Sequence, residues 1–272
     1  MNKITEQSSV HRHLEEKQVE EITALINQEN AVVSEAIALA LPQINNLIHE
    51  IVRILKNGGR MFYLGAGSGG RLSVLDVIEL PTTFGIEKGM VNVILAGGIE
   101  HLVEAREEME DNLMEGWDRL VAEKICDKDM VIGISASGTT PFVLGALKAC
   151  RDHKICTGCI VSNPDAPIAK EADFPVEVIT GPEFITGSTR MKCGTAQKMI
   201  FDMISTTVMI QLGKVEDNQM VNVKLINKKI TDRAVRMLML NAGIDSYEEA
   251  SALLHKKGSV KKALDYLKAK TQ

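Results

Sequence analysis

Three polar loops in the sequence carry residue types that can bind an anion. The first is GAGSGG at residues 65–70, which follows an apolar stretch and precedes a segment of helical period. Its glycines allow the backbone to approach a ligand closely, and the first turn of a helix offers unpaired N–H groups to an anion. We therefore predict that this loop binds a phosphate group.

The first loop fits nucleotide-binding motifs poorly. Its glycines give G-x-G-x-x-G, but a dinucleotide site also needs an acidic residue about 20 residues further on. The apolar run at that point, VNVILAGG (residues 91–98), ends in glycines instead. The motif G-x-x-x-x-G-K-[ST], which binds nucleoside triphosphates, is absent from the sequence. The dinucleotide interpretation is therefore weak, and the triphosphate interpretation is excluded.

The second loop, SASGTTP at residues 135–141, groups four hydroxyls around one glycine. Pro141 suits the first position of a helix, with Thr140 as its N-cap, so a hydroxyl-rich cap is one interpretation. Four hydroxyls exceed what one cap needs, and we expect them to surround phosphate oxygens. The predicted ligand-binding residues of this loop are Ser135, Ser137, Gly138, Thr139 and Thr140.

The third loop, GPEFITGSTRMKCGTAQK at residues 181–198, is another polar passage from a strand to a helix. It contains three cations, Arg190, Lys192 and Lys198. A single cation of this kind is more often a solvated surface charge than a ligand contact.

The elements that must position these loops are five short apolar runs, each followed by a longer segment of helical period. They are RMFYLGAG, VNVILAG, DMVIGIS, TGCIVSN and PVEVIT. Apolar strands that alternate with helices predict an α/β fold, a doubly wound and mostly parallel sheet with helices on both faces. Ligands of such sheets bind at the carboxyl ends of the strands, which is where the three loops fall.

We predict three parts along the chain. Residues 1–30 form a polar arm, amphipathic around residues 17–28, that packs on the domain or on a partner. Residues 31–224 hold the sheet and its helices. Residues 225–272 form a small three-helix appendage, because their helical period breaks at residues 242–245 and at Gly258, and Ser246 with Glu249 makes a capping box.

Composition narrows the possible functions. The 272 residues are 45% hydrophobic and 25% charged, as in ordinary globular proteins, and the net charge of −5 argues against nucleic acid as a partner. We find no secretory signal and no apolar run near the roughly 18 residues that span a membrane. Five cysteines, an odd number, favour reduced thiols.

The sequence predicts no metal site. Cys156 and Cys159 form a lone C-x-x-C inside an apolar run, which favours a buried strand over zinc or redox chemistry. The six histidines are scattered along the chain.

Several motifs together resemble a known family. The pattern S-x-S-G-x-T after a strand is similar to the phosphate loop of the sugar isomerase (SIS) domain. Within that superfamily the chain resembles the N-acetylmuramic acid 6-phosphate etherases over nearly its whole length. The motifs that carry this resemblance are ITEQ, GAGSGGRLSVLD, AGG, ISASGTTPFV and TGSTRMKCGTAQK.

The resemblance implies an enzyme that cleaves the ether between D-lactate and C3 of an amino-sugar 6-phosphate. The route it implies is loss of the C2 proton, elimination of lactate and addition of water. It also implies a cytoplasmic homodimer without a cofactor, and a small C-terminal helical domain. Beyond the second loop, it implies substrate contacts at Ser68, Ser188, Thr189 and Lys192.

The resemblance assigns catalysis to two glutamates. Glu79 lies at the end of the helix after the first loop, where the apolar run LSVLDVI and Pro81 suggest a partly buried carboxyl. We expect it to hold a proton and to act as the acid for lactate departure. Glu110, in the helix after AGG, is expected to be the base at C2. Its acidic neighbours Glu104, Glu107 and Glu108 would alone indicate a solvated face.

The sequence departs from the family where T-S-G-R of the first loop is replaced by SGGR at residues 68–71. One hydroxyl is thus absent at Gly69. We expect Gly69→Ser to tighten substrate binding, unless Gly69 holds a left-handed turn. Two other functions share the phosphate loop, a phosphosugar-binding regulator and an aldose–ketose isomerase, but neither requires both glutamates.

Overall fold

The computed structural model describes residues 3–104 and 106–271 of the chain. All five predicted strands are present and form one parallel sheet. They are β1 (Met61–Gly65), β2 (Val91–Leu95), β3 (Met130–Ser135), β4 (Cys156–Val161) and β5 (Phe174–Glu177). A short antiparallel pair, β6 (Val215–Glu216) and β7 (Gln219–Met220), lies outside this sheet.

The strand order, β2-β1-β3-β4-β5, creates the crevice in which ligands of such sheets bind. The chain turns from β1 towards β2 and then returns to the other side of β1, as β3. The loops after β1 and β3 therefore diverge at the carboxyl edge of the sheet, at the point where the winding direction changes. The first and second loops follow these two strands, as predicted.

Nine helices accompany the strands within the described residues. They are α1 (Val19–Lys56), α2 (Gly67–Thr83), α3 (Glu115–Ala122), α4 (Pro141–Asp152), α5 (Pro167–Lys170), α6 (Lys192–Gln211), α7 (Lys228–Ala242), α8 (Tyr247–Lys257) and α9 (Val260–Thr271). Short 3₁₀ turns occupy Ile4–Glu6, Leu14–Glu16, Ile99–His101 and Glu107–Asp111. α4 illustrates the packing: Phe142, Val143, Ala146 and Leu147 line one helical stripe and are fully buried with β3 and β4.

α1 differs from the prediction in two respects. It runs without a break through residue 31, so the amphipathic segment of the arm and the following helix are one element. It is also long and apolar enough to cross a membrane by length and composition, contrary to our expectation. The difference arises because one 18-residue stretch of α1 contains at most two charged residues, and its uncharged polar residues lower the mean hydropathy only to 1.3. The buried side chains of α1, such as Ile44, Leu47 and Ile51, belong to the protein core.

The chain divides into two compact units. The first comprises the residues up to Asp76 together with Gly89–Ile204, and the second comprises Val77–Lys88 and the residues from Ser205 onwards. The second unit contains the three predicted C-terminal helices, and Ser246 Oγ accepts a hydrogen bond from the Glu249 N–H at 3.2 Å, which is one of the two bonds of the predicted capping box. The predicted boundaries at residues 30 and 224 stay a prediction.

Candidate active site

A polar cleft of about 460 Å³ lies in the first unit, beyond the carboxyl ends of β1 and β3. All three predicted loops contribute to its lining. Of the predicted ligand contacts, the structure brings Ser68, Ser135, Ser137, Thr140 and Thr189 to this cleft. Gly138, Thr139, Ser188 and Lys192 are not among its lining residues.

The hydroxyls of the second loop form a connected cluster. Ser135 Oγ lies 2.8 Å from Thr140 Oγ1 and 3.3 Å from Ser137 Oγ, and it accepts the N–H of Gly138 at 3.1 Å. Thr140 is the N-cap residue of α4 but its side chain makes no capping hydrogen bond. The cap interpretation therefore does not account for this hydroxyl, which contacts Ser135 instead, and both residues line the cleft.

Gly138 and Thr139 support the cluster from behind. Gly138 has φ +68°, and a Cβ there would lie 2.3 Å from the Cβ of Ala166, so both the turn and the close packing require glycine. Thr139 Oγ1 donates to Ser137 Oγ at 3.2 Å. These two residues thus hold the hydroxyl cluster in place.

The start of α6, in the third loop, is occupied by the protein's own carboxylate. The buried Glu183 side chain accepts the N–H groups of Lys192 and Cys193 at 2.8 and 2.9 Å. These two groups would otherwise be free for an anion, because the first N–H groups of a helix have no partner within the helix. The N-terminus of α6 is therefore closed to an external ligand.

Lys192 is buried, and its ammonium forms an ion pair with Glu29 of α1. His11 Nε2 lies 3.0 Å from the other oxygen of that carboxylate. Burial raises the pKa of Glu29, but the hydrogen bonds from Lys192 and His11 outweigh this effect and hold it below its usual value. A buried ammonium needs such a partner. The structure therefore does not place Lys192 where we predicted it, at the ligand.

Glu110 is partly buried and lines the cleft. Burial raises the pKa of its carboxyl, and the nearby charge of Glu107 adds to the shift, while Arg71 opposes it. A Cβ at Gly67, where φ is +54°, would lie 2.8 Å from Glu110 Oε1, so the carboxylate rests against the first residue of α2. Glu110 stands in a 3₁₀ turn, Glu107–Asp111, and not in the predicted helix.

Glu79 is exposed, which corrects the expected partial burial. α2 continues through Pro81 to Thr83, and its buried positions include Val74 and Leu80. Leu75 and Ile78 are exposed, at 44% and 61%, and Glu79 shares their side of the helix. The run LSVLDVI places apolar side chains on all sides of α2, so the sequence did not reveal which side is buried. Glu79 belongs to the second unit and does not line the cleft.

Sequence analysis missed several polar residues that line the cleft; besides Glu107 and Asp111, which neighbour Glu110, they are Glu6, Arg71 and Gln197. Arg71 Nη2 lies 3.7 Å from Glu107 Oε1, on the acidic side of the cleft. Each of the last three falls in a stretch that carries the family resemblance, namely ITEQ, GAGSGGRLSVLD or TGSTRMKCGTAQK. The motifs were therefore the signal that could have identified them.

Cys156 and Cys159 lie three residues apart on β4, so their side chains point to opposite faces of the sheet. Burial raises the pKa of each thiol to about 12, and all five cysteines are free. This agrees with the predicted structural role. Within residues 3–104 and 106–271, one group of side chains could hold a metal ion, His13 with Glu15 and Glu16, which sequence analysis did not predict. All three are exposed.

Comparison with known proteins identifies relatives over the whole length. Residues 43–151 match the model of the glucokinase regulatory protein N-terminal SIS domain, and residues 114–207 match the SIS domain. The N-acetylmuramic acid 6-phosphate etherase of Bacteroides fragilis strain YCH46 is 53% identical over 98% of this chain and 95% of its own. That of Porphyromonas gingivalis ATCC 33277 is 51% identical over 98% and 97%. A phosphoheptose isomerase structure from Francisella tularensis has a similar fold, with TM-score 0.54, 16% identity and coverage of 73% and 100%.

Proposed function

Because the chain belongs to the N-acetylmuramic acid 6-phosphate etherase family and carries its SIS domain, we propose that it cleaves the D-lactyl ether of N-acetylmuramic acid 6-phosphate. The products are N-acetylglucosamine 6-phosphate and D-lactate, which places the enzyme among the carbon–oxygen lyases of cell-wall recycling. One observation carries the proposal: a single cleft joins the hydroxyl cluster of the second loop to the partly buried Glu110.

The hydroxyl cluster supports binding of the phosphate. Ser135, Ser137 and Thr140 can turn their O–H groups towards phosphate oxygens, and the first turn of α4 adds a positive partial charge. This end of the cleft is where we propose that the 6-phosphate binds.

We propose that Glu110 acts as the base. In the ring-opened sugar, C1 is an aldehyde and makes the C2 proton acidic. Glu110 takes that proton, the released electron pair forms the C2–C3 double bond, and the bond from C3 to the lactyl oxygen breaks. A carboxylate whose pKa is raised by burial is a stronger base than an exposed one, which suits this role.

We propose Glu79 as the acid that protonates the departing lactyl oxygen. Water then adds to C3 of the unsaturated aldehyde, and a proton returns to C2. An acid that holds a proton should be shielded from water, but Glu79 is exposed in the single chain. We therefore also propose that the protein is a homodimer. Leu75, Ile78 and Glu79 form an exposed side of α2, and a second copy covering it would remove Glu79 from water.

We also propose a cytoplasmic location, which the five free cysteines support. Under this proposal α1 is a core helix and not a membrane span. A buried core helix of a soluble protein can match the composition of a span, and 39% of the most apolar stretch of α1 is buried in the protein.

One alternative function is favoured by a specific observation. The match of residues 43–151 to the regulatory-protein SIS model would suit a phosphosugar-binding regulator. Retention of both glutamates favours the enzyme, because a regulator does not need them. An aldose–ketose isomerase has support at the level of the fold alone.

Incubation with N-acetylmuramic acid 6-phosphate, followed by an assay for lactate, tests the proposal. We expect lactate release from the phosphorylated sugar and little from unphosphorylated N-acetylmuramic acid. We also expect activity to survive EDTA. A regulator would bind the phosphosugar without releasing lactate, and an isomerase would instead interconvert aldose and ketose phosphates.

A further inference from the structure

The charged side chains that line the cleft are mainly negative, which opposes the binding of a phosphate. The lining includes four carboxylates, those of Glu6, Glu107, Glu110 and Asp111, whereas Arg71 is the one cation among the described lining residues. The guanidinium of Arg71 lies 3.7 Å from the carboxylate of Glu107. A further positive charge near the second loop would strengthen the binding of a phosphate dianion by the hydroxyl cluster.

The cations of the third loop do not supply this charge. The Lys192 ammonium is buried against Glu29, and Lys198 is paired with Asp202. Arg190 is exposed and is not a lining residue. Two of the three cations of this loop are thus paired with carboxylates of the protein itself.

The N-terminal segment, residues 3–9, brings a lysine to the second loop. The ammonium of Lys3 donates a hydrogen bond to Thr139 Oγ1 at 2.9 Å, and this hydroxyl is bonded in turn to Ser137 in the cleft. Lys3 is partly buried and forms no ion pair with the part of the chain that the structure describes. Neither Lys3 nor Thr139 lines the cleft itself, but these two hydrogen bonds leave only the Thr139 hydroxyl between the ammonium and Ser137, which does line it.

The position of this segment is set by contacts on both sides of the cleft. The fully buried Thr5 exchanges hydrogen bonds with Asn163: its N–H donates to Oδ1 at 3.3 Å, and its Oγ1 accepts from Nδ2 at 3.0 Å. Asn163 Nδ2 also donates to the carbonyls of Ala136 and Ser137 in the second loop. The Ser9 N–H donates to Thr186 Oγ1 in the third loop at 2.9 Å.

We propose that residues 3–9 are an integral part of the active site and that Lys3 is the cation that binds the substrate phosphate. The inference rests on the proposed function for the identity of the sugar. Lys3 is a specificity-determining residue in this scheme: its charge selects the phosphorylated sugar, and the hydroxyl cluster orients the phosphate.

The test compares Lys3→Gln, which removes the charge but keeps a hydrogen-bond donor for Thr139, with Lys3→Arg, which keeps the charge. Calorimetry measures Kd for N-acetylglucosamine 6-phosphate and for inorganic phosphate. We expect Lys3→Gln to weaken binding of both by about tenfold and to reduce its salt dependence, since a hydrogen bond to a charged group is lost. Lys3→Arg should stay within about threefold of the wild type.

Lys17→Gln is the matched control, because Lys17 pairs with Glu21 at the start of α1. Wild-type affinity in Lys3→Gln would overturn the inference, as would equal losses in Lys3→Gln and Lys3→Arg at unchanged thermal stability. A wild type that binds neither ligand would overturn it as well. These measurements need no turnover. A wild-type protein that fails to release lactate, yet loses phosphate affinity in Lys3→Gln, would contradict the proposed function and leave the role of Lys3 intact.

Discussion

The second and third loops both lead from a strand to a helix and are rich in Gly, Ser and Thr. They differ in whether a side chain of the protein binds the first N–H groups of the helix that follows. At α6 the carboxylate of Glu183 takes the N–H groups of Lys192 and Cys193. At α4 the side chain of the N-cap residue makes no cap bond, and its hydroxyl joins the cluster in the cleft. The two loops therefore differ in one property that matters for anion binding: at α6 the protein's own carboxylate occupies the helix N-terminus, whereas at α4 no side chain caps it.

The largest effect we expect comes from Glu110, the carboxylate that lines the same cleft as the hydroxyl cluster before α4. Glu110→Gln should lower kcat by about 10²–10⁴-fold, the usual contribution of a general base. Binding of N-acetylglucosamine 6-phosphate should remain close to the wild type, because the hydroxyl cluster is untouched. Lactate assays under saturating substrate measure the change.

Glu108→Gln, an exposed neighbour in the same turn, is the matched control and should keep full activity. Exchange of the C2 proton with solvent deuterium separates the two glutamates. It should vanish in Glu110→Gln but persist in Glu79→Gln, since exchange needs the base alone. The opposite pattern would reverse the roles of acid and base.

The comparison of the two loops is tested directly by Ser135→Ala and Ser188→Ala. Ser135 is buried and bonded to Ser137, Gly138 and Thr140, so its loss removes a hydrogen bond to a charged ligand and disturbs the cluster. We expect a loss of about 1.5–3 kcal/mol in phosphosugar binding, tenfold or more in Kd. Ser188→Ala should leave Kd nearly unchanged. Equal losses in both variants would remove the distinction between the loops.

The closed N-terminus should matter for stability and not for binding. Glu183→Ala leaves the N–H groups of Lys192 and Cys193 without their partner in a buried environment. We expect the free energy of unfolding to fall by about 1–3 kcal/mol, measured by urea denaturation. Phosphosugar affinity of the folded protein should not change. The exposed Glu15→Gln serves as the control, and a stable Glu183→Ala variant with weakened ligand binding would show that the N-terminus of α6 contributes to the ligand site.

The smallest effect concerns the first loop. Gly69 has no positive φ, so the left-handed turn that would oppose Gly69→Ser is absent. However, a Cβ there would lie 2.8 Å from Ile134 Cγ2 and 2.9 Å from Gln197 Oε1, so we no longer expect tighter binding. Overpacking should instead reduce stability by about 1 kcal/mol and weaken binding slightly. A lower Kd for N-acetylglucosamine 6-phosphate in Gly69→Ser would restore the original expectation.

Local patterns in the sequence were sufficient to predict the five strands of the sheet and the second loop. Continuous apolar runs predicted all five strands, because a strand buried on both faces needs apolar side chains at every position. The second loop could be predicted because its hydroxyls, its glycine and Pro141 lie within seven residues, and the turn and helix start depend on local conformation. The family motifs then identified the kind of ligand.

Other features depend on residues far apart in the sequence, and only the tertiary structure decided them. Lys192 is separated from Glu29 by 163 residues and Lys3 from Thr139 by 136, so no local pattern could show that the first lysine pairs with a carboxylate and the second contacts the second loop. Glu79 is exposed because another side of α2, which includes Val74 and Leu80, is buried. The sequence could not show this, since apolar residues lie on all sides of that helix. Charge pairing and burial are properties of the packed chain, because they depend on neighbours that folding brings together.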